Sequence, residues 1–320
     1  MTAQLITRGN FQNNSDADII EILPVSLLDE HRLLVNELKQ TAQSFGLEFG
    51  WHYLLDLAWI LNQLGNLEGK QIMDAGAGTG IIQWYMALKG AEVISVDRNS
   101  RAGLPMRFRA HIRVEGLRKE DLQAPQSSIY PTASANNQPF SPRRILRQLK
   151  NFAKNQIDQQ RKPESLGKVR IYNQDLSHLL DIPDNSLDAV VAVSSLEHNT
   201  PEGLAQVVQE LQRVIKPGGV LLATLGAAKE QDWFHQASQG WCYTDSSLRK
   251  LFNMPVSTPS NYSAYDELMS DIRNCSELHD NLASFYFKSG DNGMPWGLWD
   301  PQYPPVGIRK VKPITIHQED

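Results

Sequence analysis

The stretch Gln71-Ile72-Met73-Asp74-Ala75-Gly76-Ala77-Gly78-Thr79-Gly80 decides the fold. Its first residues predict a short buried strand, and the run 81–89 that follows the glycines predicts a helix. Gly76, Gly78 and Gly80 let the chain turn sharply and let a ligand approach the backbone. The stretch therefore predicts a strand, a ligand-binding loop and a helix, in that order.

Further apolar runs predict that this strand belongs to an α/β fold with a parallel sheet. Thr200 and Pro201 suit the start of a helix, and apolar residues recur at helical spacing from Leu204 to Ile215. In a parallel sheet built this way, ligands bind at the carboxyl ends of the strands. The other predicted strands, rich in apolar residues as expected for strands covered on both faces, are 92–96, 168–172, 187–193 and 220–224.

The rest of the chain is predicted to be appended to this core. Two helices, 26–44 and 51–64, precede the first core strand. A late strand is expected at 282–288. The domain organisation predicted from these segments is an amino-terminal cap at 1–65, a core at 66–290 and a carboxyl-terminal extension at 291–320.

A long insertion interrupts the core at 98–167. Its middle is rich in Pro, Ser, Asn and Gln, which are poor core formers, and 142–160 is helix-like and basic. Residues 101–168 hold 14 Lys and Arg against 5 Asp and Glu, although the whole chain has a net charge of -5. Such a basic segment could simply be a solvated charged face, or it could bind an anionic acceptor, a membrane surface through 143–162, or RNA.

Composition excludes several classes of protein. The hydrophobic content of 41% over 320 residues is that of a globular protein with a sizeable core. Cys242 and Cys275 have neither disulfide-framework nor zinc-site spacing, so no metal site is expected. Because no targeting segment or membrane-spanning run is recognisable, the expected location is the cytoplasm.

Acidic residues follow three successive predicted strands. Asp74, Asp97 and Asp175 would meet at one edge of the sheet, where Asp97 could accept both hydroxyls of a ribose and Asp175 an adenine amino group. The dinucleotide pattern Gly-x-Gly-x-x-Gly fails, because Ile81 stands sixth from Gly76, and no Gly-Lys-Ser/Thr of a P-loop follows. An anionic Asp74 would repel a pyrophosphate and suit an ammonium.

The order of these motifs resembles that of class I S-adenosylmethionine (SAM)-dependent methyltransferases, in particular the branch of ubiquinone- and menaquinone-pathway enzymes. The resemblance extends to Ser194-Ser195-Leu196-Glu197-His198 and to 211–219. It implies a Rossmann-like, seven-stranded, mostly parallel sheet with helices on both faces and an antiparallel last strand. It also implies SAM as cofactor, bound by Asp74, Ala75, Gly76, Gly78, Gly80, Asp97, Arg98, Asp175, Leu176 and Ser194.

Methyl transfer to a hydroxyl needs a base, and His198 after the fourth core strand is the best-placed candidate. The alternative for Glu197 and His198 is to brace the next helix without touching substrate. His52 and His235 are weaker candidates for the base. The aromatic residues expected to line an acceptor pocket, or simply to pack, are Trp51, Tyr53, Trp233 and Trp241.

The acceptor expected from the resemblance is a small molecule, a glycan or a lipid-linked compound, methylated on oxygen before nitrogen. The basic insertion favours an anionic one. Nucleic acid is disfavoured, because Ser194 to Glu197 lack the Asp/Asn-Pro-Pro-Tyr of exocyclic-amine methylases and no Pro-Cys nucleophile exists. A rival hypothesis is a SAM-binding scaffold without turnover that docks a partner through the insertion.

Overall fold

The computed structural model describes residues 17–123, 166–284, 286, 294 and 298–314. Within them one sheet of ten strands forms the centre of the molecule, in the order β1-β10-β7-β6-β2-β3-β5-β4, with β9 paired to the end of β7 and β8 to β9. The strands are Ile19–Ile22 (β1), Gln71–Ala75 (β2), Glu92–Asp97 (β3), Arg113–Gly116 (β4), Lys168–Asn173 (β5), Leu187–Val193 (β6), Ile215–Ala227 (β7), Trp233–His235 (β8), Gly240–Tyr243 (β9) and Pro305–Val311 (β10).

Six of these strands run parallel from β4 to β7, as expected for an α/β core, whereas β10 is antiparallel to β7 and β1 to β10. The described helices are Leu27–Glu30 (α1), Arg32–Phe45 (α2), Tyr53–Leu64 (α3), Ile81–Leu88 (α4), Met106–His111 (α5), Pro201–Val214 (α6), Asp245–Leu251 (α7), Tyr265–Arg273 (α8) and Ser276–Asp280 (α9). None of the described helices is long and apolar enough to cross a membrane.

Both faces of the sheet are buried, which explains why the core strands are apolar on both sides. In β2, Ile72 packs into the core that contains α2, α3 and α4. Its neighbour Met73 packs into the opposite core, against α6 and α7. Because successive side chains of a strand point to opposite faces, each strand needs apolar residues at consecutive positions. The prediction of a parallel sheet covered by helices is confirmed.

The amino-terminal helices and the helix after the glycine loop lie close to their predicted positions. The predicted helix 26–44 is broken at His31 into α1 and α2. Helix α6 begins after Thr200, whose hydroxyl accepts a hydrogen bond from the Gly203 amide, and has Pro201 as its first residue. The sequence signals for this helix therefore act as expected.

Three expectations about strands were wrong. Among the described residues the sheet already has ten strands, not seven. The antiparallel strand is Pro305–Val311, within the segment expected to be an extension, whereas 282–284 contribute one isolated bridge from Leu282 to Phe49. Part of the supposed irregular insertion is regular, since α5 and the edge strand β4 lie at 106–116. The basic helix-like segment 142–160 lies outside the described residues.

Candidate functional site

The glycine loop between β2 and α4 lies against the ends of two neighbouring strands. Gly76 has φ +78°, and a Cβ there would lie 2.5 Å from the Ser195 Cβ, so only glycine fits. The amides of Gly76 and Ala77 both donate to the Val96 carbonyl, at 2.9 Å. The Gly78 amide donates to Asp97 Oδ2 at 2.8 Å. The end of β3 and the segment after β6 thus fix the conformation of the glycine loop.

A buried polar chain that sequence reasoning missed supports this loop from beneath. Gln83 Nε2 donates to the carbonyls of Ala77 at 3.1 Å and Gly80 at 3.0 Å, and Gln83 Oε1 accepts from the Ser95 hydroxyl at 2.6 Å. Arg101 in turn donates to the Ser95 hydroxyl and to the Ser95 carbonyl. The only sequence signal was a glutamine inside an apolar helix.

Asp74 is a buried acidic residue of the site, and its burial is only partly compensated by direct partners. Its side chain is buried, and its Oδ2 atom has no hydrogen-bond partner among the described residues. Burial raises the pKa of Asp74 to about 7; the charge of Arg101 acts against the increase and that of Asp97 adds to it. A buried carboxylate oxygen without a donor is suited to bind a cation.

Asp74 and the loop line a cavity of about 390 Å³. The cavity is also lined by residues of the amino-terminal segment, including Tyr53 and Leu57 of α3, and by Ser194 and His198 after β6. Of the predicted cofactor-binding residues, Asp74, Gly76, Gly78, Gly80 and Ser194 therefore share one cavity. Ala75 is fully buried in β2.

The remaining predicted cofactor-binding residues do not line this cavity; they lie at or just after the ends of β3 and β5. Asp97 accepts the Gly78 amide with one carboxylate oxygen and the Asn99 amide with the other. Leu176 is buried in the core on the α6 side of the sheet. Asp97 thus already fixes the glycine loop while it remains partly exposed at the strand end.

Arg98 connects two strand ends. Its Nε atom lies 2.9 Å from Asp175 Oδ2, and its Nη2 atom donates to Asn199 Oδ1 at 2.9 Å. Burial acts to raise the pKa of Asp175, but hydrogen bonds from Ser177 and the charge of Arg98 outweigh it and lower the pKa below its usual value. Asp175 is therefore a charged group whose oxygens all have partners in this structure.

Ser194 has a strained backbone and a central position. Its φ of +44° lies in the left-handed region, which non-glycine residues rarely adopt. Its amide donates to the Thr224 carbonyl at 3.1 Å, and its hydroxyl donates to Glu197 Oε1 at 2.5 Å. Glu197 is buried, and burial raises its pKa, although His198 and Ser194 act against this increase.

His198 lines the cavity, and one of its two ring nitrogens already has a hydrogen-bond partner. Nδ1 lies 3.0 Å from the carbonyl oxygen of Gln239, in the turn between β8 and β9. A carbonyl oxygen only accepts, so Nδ1 carries the proton and Nε2 of the neutral ring keeps its lone pair. Gln239 has φ +55°, and this left-handed backbone conformation helps to direct its carbonyl oxygen towards His198. The arrangement leaves His198 able to accept a proton at Nε2.

The other candidate histidines are not among the residues that line the described cavity. His52 is buried and lies 2.6 Å from Asp56 Oδ2 through Nδ1. His235 bonds the Ser238 hydroxyl at 2.7 Å, and burial lowers its pKa. The rings of Trp51, Trp233 and both histidines pack around Tyr303. Of the predicted acceptor-pocket aromatics, Tyr53 is the one that lines the cavity.

Residues 146–223 match a family model described as "Methyltransferase domain". The matched residues include Asp175, Ser194 and His198, and exclude the glycine loop.

Curated relatives match over short segments. The chain is 44% identical over 43 residues to a ubiquinone biosynthesis O-methyltransferase of Bordetella parapertussis, which is 13% of this chain and 18% of the relative. It is 40% identical over 48 residues to the protein of the same name from Leptothrix cholodnii, 15% and 20% of the two chains. The chain thus spans about a fifth of the length of these relatives.

Solved structures show a partial likeness. The 1,6-didemethyltoxoflavin-N1-methyltransferase of Burkholderia thailandensis, solved with S-adenosylhomocysteine, aligns with a TM-score of 0.40 and 12% identity over 89% of this chain and 90% of the other. YcgJ of Bacillus subtilis aligns with a TM-score of 0.42 and 13% identity over 81% and 99%.

The family match and the relatives show that part of this chain is similar to methyltransferases, and the glycine loop and the strand-end carboxylates lie where the resemblance to class I SAM-dependent methyltransferases predicts them. The class consists of enzymes whose cofactor is SAM. The residues present fit that group, because Asp74 offers an unpartnered buried oxygen and the loop at Gly76 leaves no room for a side chain.

Proposed function

We propose that this chain transfers a methyl group from SAM to an oxygen atom of a small-molecule acceptor. The observation that carries the proposal is Asp74, a buried carboxylate with an unpartnered oxygen in a cavity bounded by a glycine loop. Such a group is destabilising in an empty site and is compensated by a ligand with a positive charge.

Each predicted cofactor residue has a role in this proposal. Asp74 binds the ammonium of the methionine part, and the backbone of Gly76 to Gly80 surrounds that part. Asp97 binds the ribose hydroxyls with the oxygen lone pairs that the two amides leave free. Asp175, with Arg98 and Leu176 beside it, binds the adenine. These assignments are predictions that rest on the strand-end positions of the side chains.

When bound, the cofactor would supply a methyl group that its sulfonium already activates; the methyl–sulfur bond would break as the methyl–oxygen bond forms, and the cofactor would leave as the neutral thioether S-adenosylhomocysteine. The chain contributes alignment of the acceptor and removal of its proton. His198 Nε2 takes the hydroxyl proton while the acceptor oxygen gains the methyl group, and the Gln239 carbonyl stabilises the resulting imidazolium through Nδ1–H. His198 is exposed, so it can pass this proton to water.

Oxygen as the methylated atom is supported by the name of the curated relatives. Glycan or lipid-linked acceptors remain predictions of the sequence. So does an anionic acceptor, because the basic segment 142–160 from which it was predicted lies outside the described residues.

The test is incubation of the protein with methyl-labelled SAM and fractionated extract, followed by mass spectrometry of labelled products. Calorimetry with SAM accompanies it, using the wild type and Asp97→Ala. We expect micromolar binding that Asp97→Ala weakens, and a labelled small molecule in at least one fraction.

The same experiments address the scaffold hypothesis. Binding of SAM without label in any fraction would favour a SAM-binding scaffold over an enzyme. Absence of SAM binding, or binding that Asp97→Ala leaves unchanged, would contradict both hypotheses.

A further inference from the structure

The β8–β9 turn, residues 236–239, contacts the segment that carries His198. The Gln239 carbonyl oxygen lies 3.0 Å from His198 Nδ1, although the two residues are 41 positions apart in the chain. A Cβ on Gly240, the residue after the turn, would lie 2.9 Å from Glu197 Cγ. The end of the turn therefore packs on the residue before His198, and the position of His198 depends on the conformation of the turn.

One buried side chain holds this turn from inside. His235 is the last residue of β8 and pairs with Gly240 across the turn. Its Nδ1 atom lies 2.7 Å from the Ser238 hydroxyl and 3.2 Å from the Ser238 amide nitrogen. Because Ser238 immediately precedes Gln239, these two hydrogen bonds fix the point from which the Gln239 backbone continues.

The turn needs such support because Gln239 has an unfavourable backbone conformation. Its φ of +55° lies in the left-handed region, which a residue other than glycine adopts only at a cost in free energy. Gln239 Nε2 also donates to the Gln236 carbonyl at 2.6 Å, within the same turn. Loss of the hydrogen bonds to His235 would leave Gln239 free to relax and would turn its carbonyl oxygen away from His198.

The hydrogen bonds also fix the tautomer of His235. A backbone amide only donates, so Nδ1 accepts from Ser238 and the proton of the neutral ring is on Nε2. The residue is 8% exposed, and its ring packs against Trp233 and Tyr303, with centroids 5.5 and 5.3 Å away. Burial lowers the pKa of His235, which keeps the ring neutral. His235 is thus suited to support the turn and not to act as a base, because its lone-pair nitrogen is already engaged.

We propose that His235 is a positioning residue, which fixes the β8–β9 turn so that the Gln239 carbonyl keeps His198 protonated on Nδ1 and ready to accept a proton on Nε2. This inference rests on the proposed function, because it takes His198 as the base. It gives His235 a role in the reaction without contact with the acceptor or the cofactor.

The first test is nuclear magnetic resonance of the His198 ring nitrogens in the ligand-free protein at alkaline pH. Correlations from the carbon-bound ring protons report the tautomer, and comparison with His198→Asn assigns them. In the wild type we expect the proton on Nδ1. His235→Leu retains an apolar side chain but accepts no hydrogen bond, so the signals should shift towards a mixture of the two tautomers. His235→Asn keeps an oxygen that accepts from Ser238 and should restore the wild-type signals.

The second test is single-turnover transfer of labelled methyl, with the extract fraction that yields labelled product. We expect His235→Leu to lower the rate about tenfold to a hundredfold, because a misplaced base is a poor one. The dissociation constant of SAM, measured by calorimetry, should not change. His235→Asn should recover most of the rate, which a role of the ring in packing alone does not predict.

Ser186→Ala is the matched control. It also removes a hydrogen bond within a turn, from the Ser186 hydroxyl to the Pro183 carbonyl at 2.7 Å. This turn precedes β6, whereas His198 follows the opposite end of that strand. The variant should change neither the tautomer of His198 nor the rate. If His235→Leu does not fold, Ser238→Ala provides a milder comparison, because it removes the hydroxyl bond to His235 and keeps the amide bond.

An unchanged tautomer of His198 in His235→Leu, or equal losses of rate in His235→Leu and His235→Asn, would overturn the role of His235 and leave the proposed function intact. A wild type that binds no SAM or transfers no label would overturn the proposed function, and the part of His235 in the reaction with it. The tautomer measurement separates the two failures, since it needs neither cofactor nor acceptor.

Discussion

Gly76 and Ser195 are in such close contact that a Cβ on the glycine would lie 2.5 Å from the Cβ of the serine. We expect Gly76→Ala to lower the free energy of unfolding by about 1 kcal/mol for its positive φ and by about 2 kcal/mol more for the overlap. It should also abolish detectable SAM binding, because relief of the overlap moves the loop. Urea unfolding and calorimetry measure the two effects.

Gly69 provides the control for this substitution. It has φ +72°, and nothing lies within 4 Å of the Cβ that alanine would add. Gly69→Ala should therefore lower the free energy of unfolding by about 1 kcal/mol, because of the positive φ alone, and leave SAM binding unchanged. Equal effects of the two substitutions would mean that the contact with Ser195 has no consequence.

The affinity for SAM should rise with pH. The pKa of Asp74 is about 7 without ligand, and only the carboxylate binds the ammonium, so the bound fraction increases as Asp74 loses its proton. Between pH 6 and pH 7.5 the dissociation constant should fall by about eightfold, because the deprotonated fraction of Asp74 rises by that factor. Calorimetry across this range measures it, and Asp74→Asn should bind weakly at every pH.

The same residue should make the ligand-free protein less stable as pH rises. The folded-state pKa of about 7 exceeds the usual value of 3.8, so the contribution of Asp74 to stability is present below pH 3.8 and lost as pH rises to 7. A shift of this size corresponds to on the order of 4 kcal/mol as an upper bound. Asp74→Asn should raise the unfolding midpoint at pH 8 and have little effect near pH 4. A lower midpoint at pH 8 would contradict this account.

Gln83 should be needed for both stability and cofactor binding. Gln83→Leu removes the buried side-chain amide that hydrogen-bonds the Ser95 hydroxyl and the carbonyls of Ala77 and Gly80. We expect a loss of about 3 kcal/mol in unfolding free energy and weaker SAM binding, measured by denaturation and calorimetry. Gln40→Leu, on the exposed side of α2, is the control and should do neither.

His198→Asn should remove the base and leave the cofactor bound. Loss of a general base lowers the rate about 10²- to 10⁴-fold, whereas the SAM dissociation constant should be unchanged. Single-turnover transfer of labelled methyl to the acceptor measures the rate. His279→Asn, at a half-exposed side chain of α9, should retain full activity. A wild-type rate in His198→Asn would exclude this histidine as the base.

Much of the site follows from local sequence. Asp74, Asp97 and Asp175 each follow an apolar run, and a parallel sheet brings the ends of its strands to one edge, so their proximity could be predicted without a structure. Gln83 and Arg101 could not. These two residues support the loop through hydrogen bonds to Ser95 and to loop carbonyls. Nothing in the spacing of the residues along the sequence indicates such contacts.

The misplaced last strand has a similar cause. Pro305 and Gly307 interrupt the apolar pattern of β10, and both residues argue against a strand when they are considered locally. A Cβ on Gly307 would lie 2.8 Å from the ring of Trp59, so the glycine is required by a helix more than 200 residues earlier in the chain. Tertiary packing, which a local pattern does not contain, decided this position.

The pairing of β1 with β10 also sets an order of assembly during synthesis. Residues Ile19–Ile22 form their ladder with Pro305–Val311, and β10 joins them to β7. Residues 23–304 must therefore be synthesised after β1 before its partner strand emerges from the ribosome. Until then the β7 side of the sheet has an open edge, at which a nascent chain is most exposed to wrong partners and to chaperones.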